Sequence, residues 1–359
     1  MRLDSFYVES YRGIRDINLE GFTNTNIFVG KNNSGKTSLL EAMILSGLFD
    51  DAQLLVRTLI SRYQKVSIDQ IESMFDVREA KKRIHMGHTV LNDQSGERIE
   101  IETNIVSGEM EGIIQEERKT SEMRRLMLRF EYEAQERDLS DKKRAVYRID
   151  FTQQSGSVGV GTRRLKRSDA IEKIPCQFIS FSRFDGTNFL IMALDEILEQ
   201  EKRNELVEVL QIFDKRVRGF EVVGEDRNIK IFRDGEEAPL SLYDYGNGMY
   251  KAFYIASAAL LSENGILLID EIEAGIHHEA LGKFVEYLQQ VCKKKNIQMF
   301  ITTHSLETLD LFLQYHEESA GLDGLTVFNI RNTEEQTLAR KYSGERLLDL
   351  RNGMGLDIR

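Results

Sequence analysis

The sequence has little cysteine and lacks a long apolar run. Its 359 residues include two cysteines, Cys176 and Cys292, which stand far apart without metal-ligand spacing. We therefore expect buried free thiols at both positions. The longest apolar runs, such as Gly265–Ile269, are far shorter than the roughly 20 residues that span a bilayer. The sequence thus predicts a protein without a membrane segment.

The N-terminus and the charge balance narrow the class of protein further. The first residues, Met1-Arg2-Leu3-Asp4, lead into an amphipathic strand and lack the apolar core of a signal peptide. These features predict a cytoplasmic protein. A net charge of −11 argues against a protein that coats nucleic acid. Basic clusters such as Lys81-Lys82-Arg83 and Lys293-Lys294-Lys295 still leave local contact with DNA open.

One octapeptide carries a strong functional signal. Residues Gly30–Thr37 match the phosphate-binding P-loop pattern G-x-x-x-x-G-K-[ST] at every fixed position. The run Thr25–Val29 predicts a short buried strand before the loop, and Ser38–Leu48 predicts a helix after it. Backbone N–H groups of such a loop point at nucleotide phosphates, and the positive end of the helix favours the bound anion. We therefore expect the chain to bind a nucleoside triphosphate.

The motif assigns a role to each P-loop residue. Lys36 is expected to reach the β- and γ-phosphates of ATP, and the Thr37 hydroxyl is expected to bind Mg²⁺. The predicted nucleotide-binding residues of this segment are Gly30, Asn32, Asn33, Ser34, Gly35, Lys36, Thr37 and Ser38.

A second segment supplies the carboxylates that a P-loop needs. Four apolar residues, Ile266–Ile269, predict a buried strand that ends in Asp270 and Glu271. Open α/β sheets bind ligands at the carboxyl edge of their strands. Asp270 is expected to hold Mg²⁺ together with Thr37, and Glu271 is expected to be the general base. Such an acidic pair could otherwise cap the next helix.

A histidine follows another apolar strand. The strand Gln298–Ile301 leads into Thr302-Thr303-His304-Ser305, so His304 is expected at the same edge of the sheet. A neutral imidazole there can donate one hydrogen bond to the γ-phosphate, although a core or capping role is the alternative. His277 and His278 lie near Glu273 without H-E-x-x-H spacing, so we expect a dimer-facing loop there rather than a metal site.

The chain is expected to be α/β, with a mixed sheet flanked by helices. The alternation of strands and helices after Cys176 predicts a mostly parallel sheet. We expect one ATPase domain from residues 1–48 and 175–359, interrupted by an inserted α+β subdomain at 49–174. Within the second half of the chain, Phe189–Val217 predicts one long amphipathic helix.

The insertion has its own pattern. Asp50–Arg83 and Glu109–Arg125 predict helices, and period-two alternation predicts three strands, at Glu97–Val106, Leu126–Ala134 and Ala145–Phe151. The glycines at positions 156, 159 and 161 predict a turn or mobile loop. We expect this subdomain to contact a partner or another copy of the chain.

The whole constellation resembles the ABC-type ATPases of the RecF/SMC branch. It is most similar to the AAA-type group that also supplies the ATPase half of OLD nucleases and of several bacterial anti-phage systems. The resemblance rests on four segments, which are Leu3–Leu19 with Tyr11-Arg12-Gly13, Gly30–Ala42, Ile266–His278 and Thr302–Glu307. It implies that Arg12 also belongs to the nucleotide site.

This family carries a signature loop before the helix that leads to the acidic strand. Tyr245–Met249 stands in that place, with Gly246, Asn247 and Gly248 as the expected nucleotide contacts. It departs from the usual Leu-Ser-Gly-Gly-Gln, because glycine replaces the serine and asparagine replaces the first glycine. Backbone N–H groups can still hold an anion, but the serine hydroxyl is absent. The family's Q-loop glutamine stays open among Gln53, Gln64 and Gln177.

The resemblance implies an ATP-dependent head-to-tail homodimer or higher oligomer. The residues after His304 are too few for a Toprim nuclease domain, so we expect a regulatory ATPase that controls a separately encoded effector in anti-phage defence. A Toprim-like nuclease is one candidate for that effector. The alternatives are a RecF-like repair clamp that binds DNA directly and a toxin-like or signalling NTPase that acts alone.

Overall fold

In the computed structural model the described residues are 1–48, 52–60, 63, 65–76, 82–93, 95–108, 124–136, 142–154, 157–166, 174–180, 187–224, 227–354 and 357–358. These residues form two compact units. The first contains Met1–Phe22, Asn32–Ile174 and Ile330–Arg340, and the second contains Thr23–Lys31, Pro175–Asn329 and Lys341–Arg359.

The strands, in chain order, are β1 (Arg2–Tyr11), β2 (Ile14–Glu20), β3 (Thr25–Val29), β4 (Arg83–Leu91), β5 (Arg98–Gly108), β6 (Arg124–Glu136), β7 (Lys142–Gln154), β8 (Ser157–Lys166), β9 (Cys176–Ile179), β10 (Val217–Val223), β11 (Asn228–Arg233), β12 (Leu240–Ser241), β13 (Ile266–Ile269), β14 (Gln298–Thr303), β15 (Leu325–Asn332) and β16 (Thr337–Ser343). The α-helices are α1 (Lys36–Met43), α2 (Ala52–Ile60), α3 (Ile68–Glu72), α4 (Thr187–Glu199), α5 (Arg203–Phe213), α6 (Asn247–Leu260), α7 (His278–Lys294), α8 (Leu306–Tyr315) and α9 (Gly344–Met354).

The first unit is built on an antiparallel sheet. Its strand order is β2-β1-β4-β5-β6-β7-β8. Alternation along the strands buries one face, as the pattern of Leu126, Leu128 and Phe130 on β6 shows. The three strands predicted from this alternation are confirmed as β5, β6 and β7.

Two predictions in this unit need correction. Gly159 and Gly161 do not form a turn but lie within β8, opposite Thr152 and Asp150 of β7. Their missing side chains do not prevent extended pairing, so glycine content alone misled the prediction; Gly156 lies outside the described residues. Asp50–Arg83 contains the separate helices α2 and α3, and β4 already begins at Arg83.

The predicted helix at Glu109–Arg125 mostly falls on residues that are not described. Positions 109–123 are outside the described ranges, and Arg124 and Arg125 already belong to strand β6. Among the candidates for the Q-loop, Gln64 is also outside these ranges, Gln53 lies in α2, and Gln177 lies in β9.

The second unit contains most of the six-stranded sheet β16-β15-β3-β14-β13-β9, in which β15, β3, β14, β13 and β9 run parallel. The prediction of a mostly parallel sheet within an α/β fold is confirmed. A smaller antiparallel sheet, β10-β11-β12, lies in the same unit. The apolar core includes residues of α5, α6 and α7, and α6 is buried over nearly its whole length.

The predicted long helix at Phe189–Val217 is wrong, because the segment forms α4 and α5. Glu201 between them has φ of 57°. A left-handed residue cannot continue a right-handed helix, so the chain stops and restarts there. Among the described residues, no helix is both long and apolar enough to cross a bilayer.

The two compact units do not coincide with the expected ATPase domain and insertion. Strand β1 pairs with β4 of the expected insertion, so residues before the P-loop share a unit with residues after position 49. The expected boundaries at 48/49 and 174/175 describe where an insertion enters the chain, and they stay a prediction.

Candidate functional site

Four strand ends of the second unit meet at one edge of its parallel sheet. Ile269 of β13 pairs with Ile301 of β14 and with Ile179 of β9. Val29 of β3 pairs with Thr303. Because these strands are parallel and in register, the residues that follow them emerge at the same edge. The P-loop therefore starts at the edge that also carries the predicted acidic pair and His304.

The P-loop itself has the backbone shape of a loop that turns sharply into a helix. Asn33 has φ of 65° and Gly35 has φ of 94°. A Cβ on Gly35 would lie 3.3 Å from Cγ1 of Ile14 and 3.4 Å from Nδ2 of Asn332. Both the left-handed backbone and the close neighbours thus require glycine at this position. Helix α1 begins at the next residue, Lys36.

The start of α1 is buried and polar. Lys36 and Ser38 are buried, and so is Ser34 of the loop. The Ser34 hydroxyl has no hydrogen-bond partner within the described residues. A buried hydroxyl without a partner is costly, so its position fits a loop that is completed by an anion.

Asp270 is held by hydroxyl groups from two neighbouring strand ends. Oγ1 of Thr302 donates to its Oδ1 at 2.7 Å, and Oγ of Ser180 donates to its Oδ2 at 3.2 Å. The side chain is buried, with 3% of its surface exposed. These two hydrogen bonds fix the orientation of the carboxylate.

Glu271 has a fixed backbone and an exposed side chain. Its φ is 50°, an uncommon conformation for a residue other than glycine. Its N–H donates to Oγ1 of Thr302 at 2.8 Å, and its carbonyl accepts from Nζ of Lys251 at 2.5 Å. The backbone of Glu271 is therefore held on both sides in this uncommon conformation, while the residue stays exposed.

Lys251 is the member of the site that sequence reasoning missed. It lies in α6 with only 3% of its surface exposed. Burial lowers its pKa to about 8, although the carboxylates of Glu273, Glu271 and Asp270 act in the opposite direction. The available signal was a single charged residue within an otherwise apolar helix.

His304 is linked to Glu273 by two contacts. Oε1 of Glu273 lies 3.1 Å from Nδ1 of the ring and accepts from the His304 backbone N–H at 3.1 Å. Thr303 also donates to this oxygen, at 2.8 Å. The hydrogen bond that His304 is expected to donate to the γ-phosphate stays a prediction.

The signature-like loop, Tyr245–Met249, packs closely on the segment after the acidic pair. Helix α6 begins at Asn247, and a Cβ on Gly248 would lie 2.7 Å from the carbonyl oxygen of Gly275. Only glycine allows that approach. The loop and the segment Glu273–Ile276 are thus in direct contact within the second unit.

Arg12 makes its contacts inside the first unit. Its Nε donates to the Tyr11 hydroxyl at 2.9 Å and lies 3.2 Å from Oε2 of Glu41, and its Nη1 donates to the Tyr63 hydroxyl at 3.0 Å. Glu41 belongs to α1, so the guanidinium is anchored to the helix that follows the P-loop. The nucleotide contact expected of Arg12 stays a prediction.

The histidine pair at the start of α7 shows no metal-like grouping. His277 and His278 are exposed, with ring centroids 5.2 Å apart. Across the described ranges, no group of three or more histidine, cysteine, aspartate or glutamate side chains could hold a metal ion.

Two solved structures share the fold. An Smc head bound to the C-winged helix domain of ScpA aligns with a TM-score of 0.53 at 11% identity, over 97% of this chain and 100% of that chain. An Smc head domain with an extended coiled coil, bound to the C-terminal domain of ScpA derived from Pyrococcus furiosus, gives a TM-score of 0.53 at 11% identity over 99% of both chains. At such identity the likeness shows the fold alone, and it confirms the predicted ABC-type P-loop ATPase fold.

Two sequence relatives have a higher identity to this chain than the Smc head structures do. A Helicobacter pylori protein (strain ATCC 700392 / 26695) named "ATP/GTP phosphatase" is 22% identical over 96% of both chains. The uncharacterized protein MJECL11 of Methanocaldococcus jannaschii is 34% identical over 32% of this chain and 98% of its own length. Residues 25–310 match the family described as "AAA domain, putative AbiEii toxin, Type IV TA system". Because that match spans well over half of the sequence, the chain belongs to this AAA-domain family, and the prediction of an ATPase is confirmed.

Proposed function

We propose that this chain is a regulatory ATPase of the OLD-like branch, which binds ATP with Mg²⁺ and hydrolyses it to ADP and phosphate. It acts as an ATP-dependent head-to-tail dimer and controls a separately encoded effector in anti-phage defence. The observation that carries the proposal is the placement of Asp270 and Glu271. Hydrogen bonds fix the Asp270 carboxylate and the Glu271 backbone at the sheet edge where the P-loop begins.

The P-loop residues fit a triphosphate. Ser34 has a buried hydroxyl that lacks a partner in the described part of the chain, and Gly35 turns the backbone so that α1 begins directly after it. Helix N-termini carry unsatisfied N–H groups and a positive end of the helix dipole. Lys36 is proposed to contact the β- and γ-phosphates of ATP.

The oxygen donors fit Mg²⁺, which prefers hard oxygen ligands and keeps several waters. The proposal assigns the Thr37 hydroxyl and the Asp270 carboxylate to the ion. When bound, the ion would neutralise the negative charge on the phosphate oxygens and so favour attack at the γ-phosphorus of the triphosphate.

Glu271 is proposed to move the proton. Its exposed carboxylate orients a water molecule and accepts a proton from it at a side-chain oxygen, while Thr302 and Lys251 hold its backbone still. His304 is proposed to donate a hydrogen bond to the γ-phosphate, and Glu273 positions it through contacts with Nδ1 and with the backbone N–H.

The dimer is proposed from the contact between the signature-like loop and the segment Glu273–Ile276. Gly248 touches Gly275. An ATP molecule held by a second copy and bound against this loop would therefore also affect the residues that follow Glu271 in the chain. ATP then favours a closed state over an open one, and hydrolysis releases it. The Smc head structures, which contain a bound ScpA domain, are examples of related folds that engage a partner protein.

Two other roles have separate support. The family description names a putative toxin, which favours a toxin-like NTPase acting alone. The Smc-head fold suits a RecF-like clamp on DNA, although the net charge of −11 does not favour it. Binding of duplex DNA that requires ATP and weakens steeply with salt would support the clamp over effector control.

The nucleotide assignment is tested with Lys36→Ala. The variant should lose measurable ATP binding in a fluorescent-nucleotide titration, because the phosphate charge loses its partner. The matched control is Lys294→Ala, which removes an exposed lysine at the end of α7. Equal ATP affinity of Lys36→Ala and Lys294→Ala would overturn the assignment.

A further inference from the structure

The two edges of the seven-stranded sheet in the first unit differ. At one edge, β2 is seven residues long and contains Asp16 with φ of 47°. The backbone N–H of Arg15 already donates to Oγ1 of Thr337 at 3.0 Å. A short, irregular strand with an occupied N–H group is protected against pairing with another chain.

The opposite edge has a different construction. Strand β8 is ten residues long, and in the described part of the chain it pairs with β7 alone. Its register with β7 is regular from Ser157 to Arg164. The strand contains no proline, and its residues from 159 to 165 are exposed. It therefore presents a long row of backbone groups at the sheet edge.

The side chains of β8 divide the strand into an apolar half and a basic half. Val160 is 39% exposed and pairs with Phe151, which is completely buried, while Leu165 is 50% exposed. The strand ends in Arg163-Arg164-Leu165-Lys166 and contains no acidic residue. Charged side chains can merely protect an edge, but here the apolar half from Val158 to Gly161 carries none.

We propose that β8 is a docking edge for an extended acidic segment of a partner protein, which adds as a further strand to the sheet. Strand addition gives affinity through main-chain hydrogen bonds and selectivity through alternate side chains. The occupant should place apolar side chains beside Val160 and carboxylates beside Arg163. A second copy of the same strand would bring a second basic row, so charge favours a different, acidic chain.

This inference deepens the proposed function, because it rests on the effector being a separate protein and names the surface that would receive it. The test uses a fluorescein-labelled eight-residue peptide of alternating valine and glutamate, titrated into the full chain by fluorescence anisotropy. Two control peptides are used. One replaces glutamate with lysine, and the other is N-methylated at every residue, which removes the N–H donors on both strand edges but keeps the charge.

The acidic peptide should bind, and both control peptides should bind at least about tenfold more weakly. Arg163→Glu should weaken the acidic peptide by about tenfold, since an attraction becomes a repulsion at an exposed site. The matched control is Lys215→Glu, which makes the same charge change at an exposed residue before β10. Both variants should keep the ATP turnover of the wild type.

Several results would overturn the docking edge. Equal binding of the N-methylated and unmethylated acidic peptides would mean that charge alone accounts for the binding. If the acidic peptide does not bind, or if Arg163→Glu binds it as tightly as the wild type does, β8 is not its docking edge. Self-association that disappears in Arg163→Glu would assign the edge to a second copy, and oligonucleotide binding lost in this variant would assign it to nucleic acid. Because peptide binding is measured without hydrolysis, failure here is distinct from failure of Lys36→Ala to abolish ATP binding.

Discussion

The two large sheets of this protein put their polar groups in opposite places. In the parallel sheet the strands are buried along their length, and the reactive side chains follow the strand ends, as at Asp270 and Glu271. In the antiparallel sheet, strands such as β4 and β7 alternate buried apolar residues with more exposed polar ones. The parallel sheet thus concentrates chemistry at one edge, whereas the antiparallel sheet distributes polar groups over a surface.

Substitutions in the two sheets should therefore have different consequences. Substitutions at the carboxyl edge of the parallel sheet should change ATP turnover more than stability. Substitutions inside the antiparallel sheet should change stability and leave turnover per folded molecule unaltered. The following experiments test this contrast, beginning with the largest expected effect.

The first experiment concerns Glu271→Gln. Loss of the general base should lower the single-turnover rate of ATP hydrolysis by about 10²–10⁴-fold while ATP still binds. The matched control is Glu279→Gln, which changes an exposed glutamate in the first turn of α7. A normal hydrolysis rate in Glu271→Gln would remove this residue as the base.

The second experiment concerns Phe130→Ala on β6. Phe130 is completely buried, so its loss should reduce the free energy of unfolding by about 3–5 kcal/mol, as measured by urea titration. Val106→Ala on β5, where the side chain is 39% exposed, should cost less than about 1 kcal/mol. A large loss of turnover per folded molecule in Phe130→Ala would break the contrast between the sheets.

The third experiment uses a buried histidine of the antiparallel sheet. The Ser46 hydroxyl donates to the carbonyl of Met43, and its Oγ lies 3.0 Å from Nδ1 of His88. Nδ1 therefore carries the ring proton, and Nε2 has no partner in the described residues. Burial lowers the pKa of His88 to about 3, below its ordinary 6.5.

The sign of the pH effect follows from this pKa. Between pH 6.5 and about 3 the unfolded chain binds a proton that the folded chain excludes. The contribution of His88 to stability is thus complete above pH 6.5 and declines as the pH falls, by up to about 1.4 kcal/mol per pH unit. His88→Gln should show a shallower decline in urea titrations across this range. Identical slopes in both proteins would contradict the buried neutral ring.

The same contrast explains what the sequence could predict. The strands before the P-loop and before Asp270 are short continuous apolar runs followed by motif residues, so their type and their common edge were predictable. The alternating strands β5 to β7 were predictable as well. Strand β8 was missed because its glycines are typical of turns, and β4 was hidden at the end of a helical pattern.

Side-chain contacts within the site were beyond the sequence. Lys251 and Glu271 are distant in the chain, and only the packing of α6 beside β13 brings the ammonium to the Glu271 carbonyl. The contact between Glu273 and His304 likewise depends on the pairing of β13 with β14. No spacing in the sequence reveals this contact.

The central claim is that ATP holds two copies of this chain together. Sedimentation velocity of Glu271→Gln with and without ATP tests it most directly. We predict a species of the 41.4 kDa chain without nucleotide and a species of twice that mass with ATP. The added substitution Lys36→Ala should abolish the larger species. If ATP-bound Glu271→Gln keeps the mass of a single chain, the account of ATP as a clamp between two copies is contradicted.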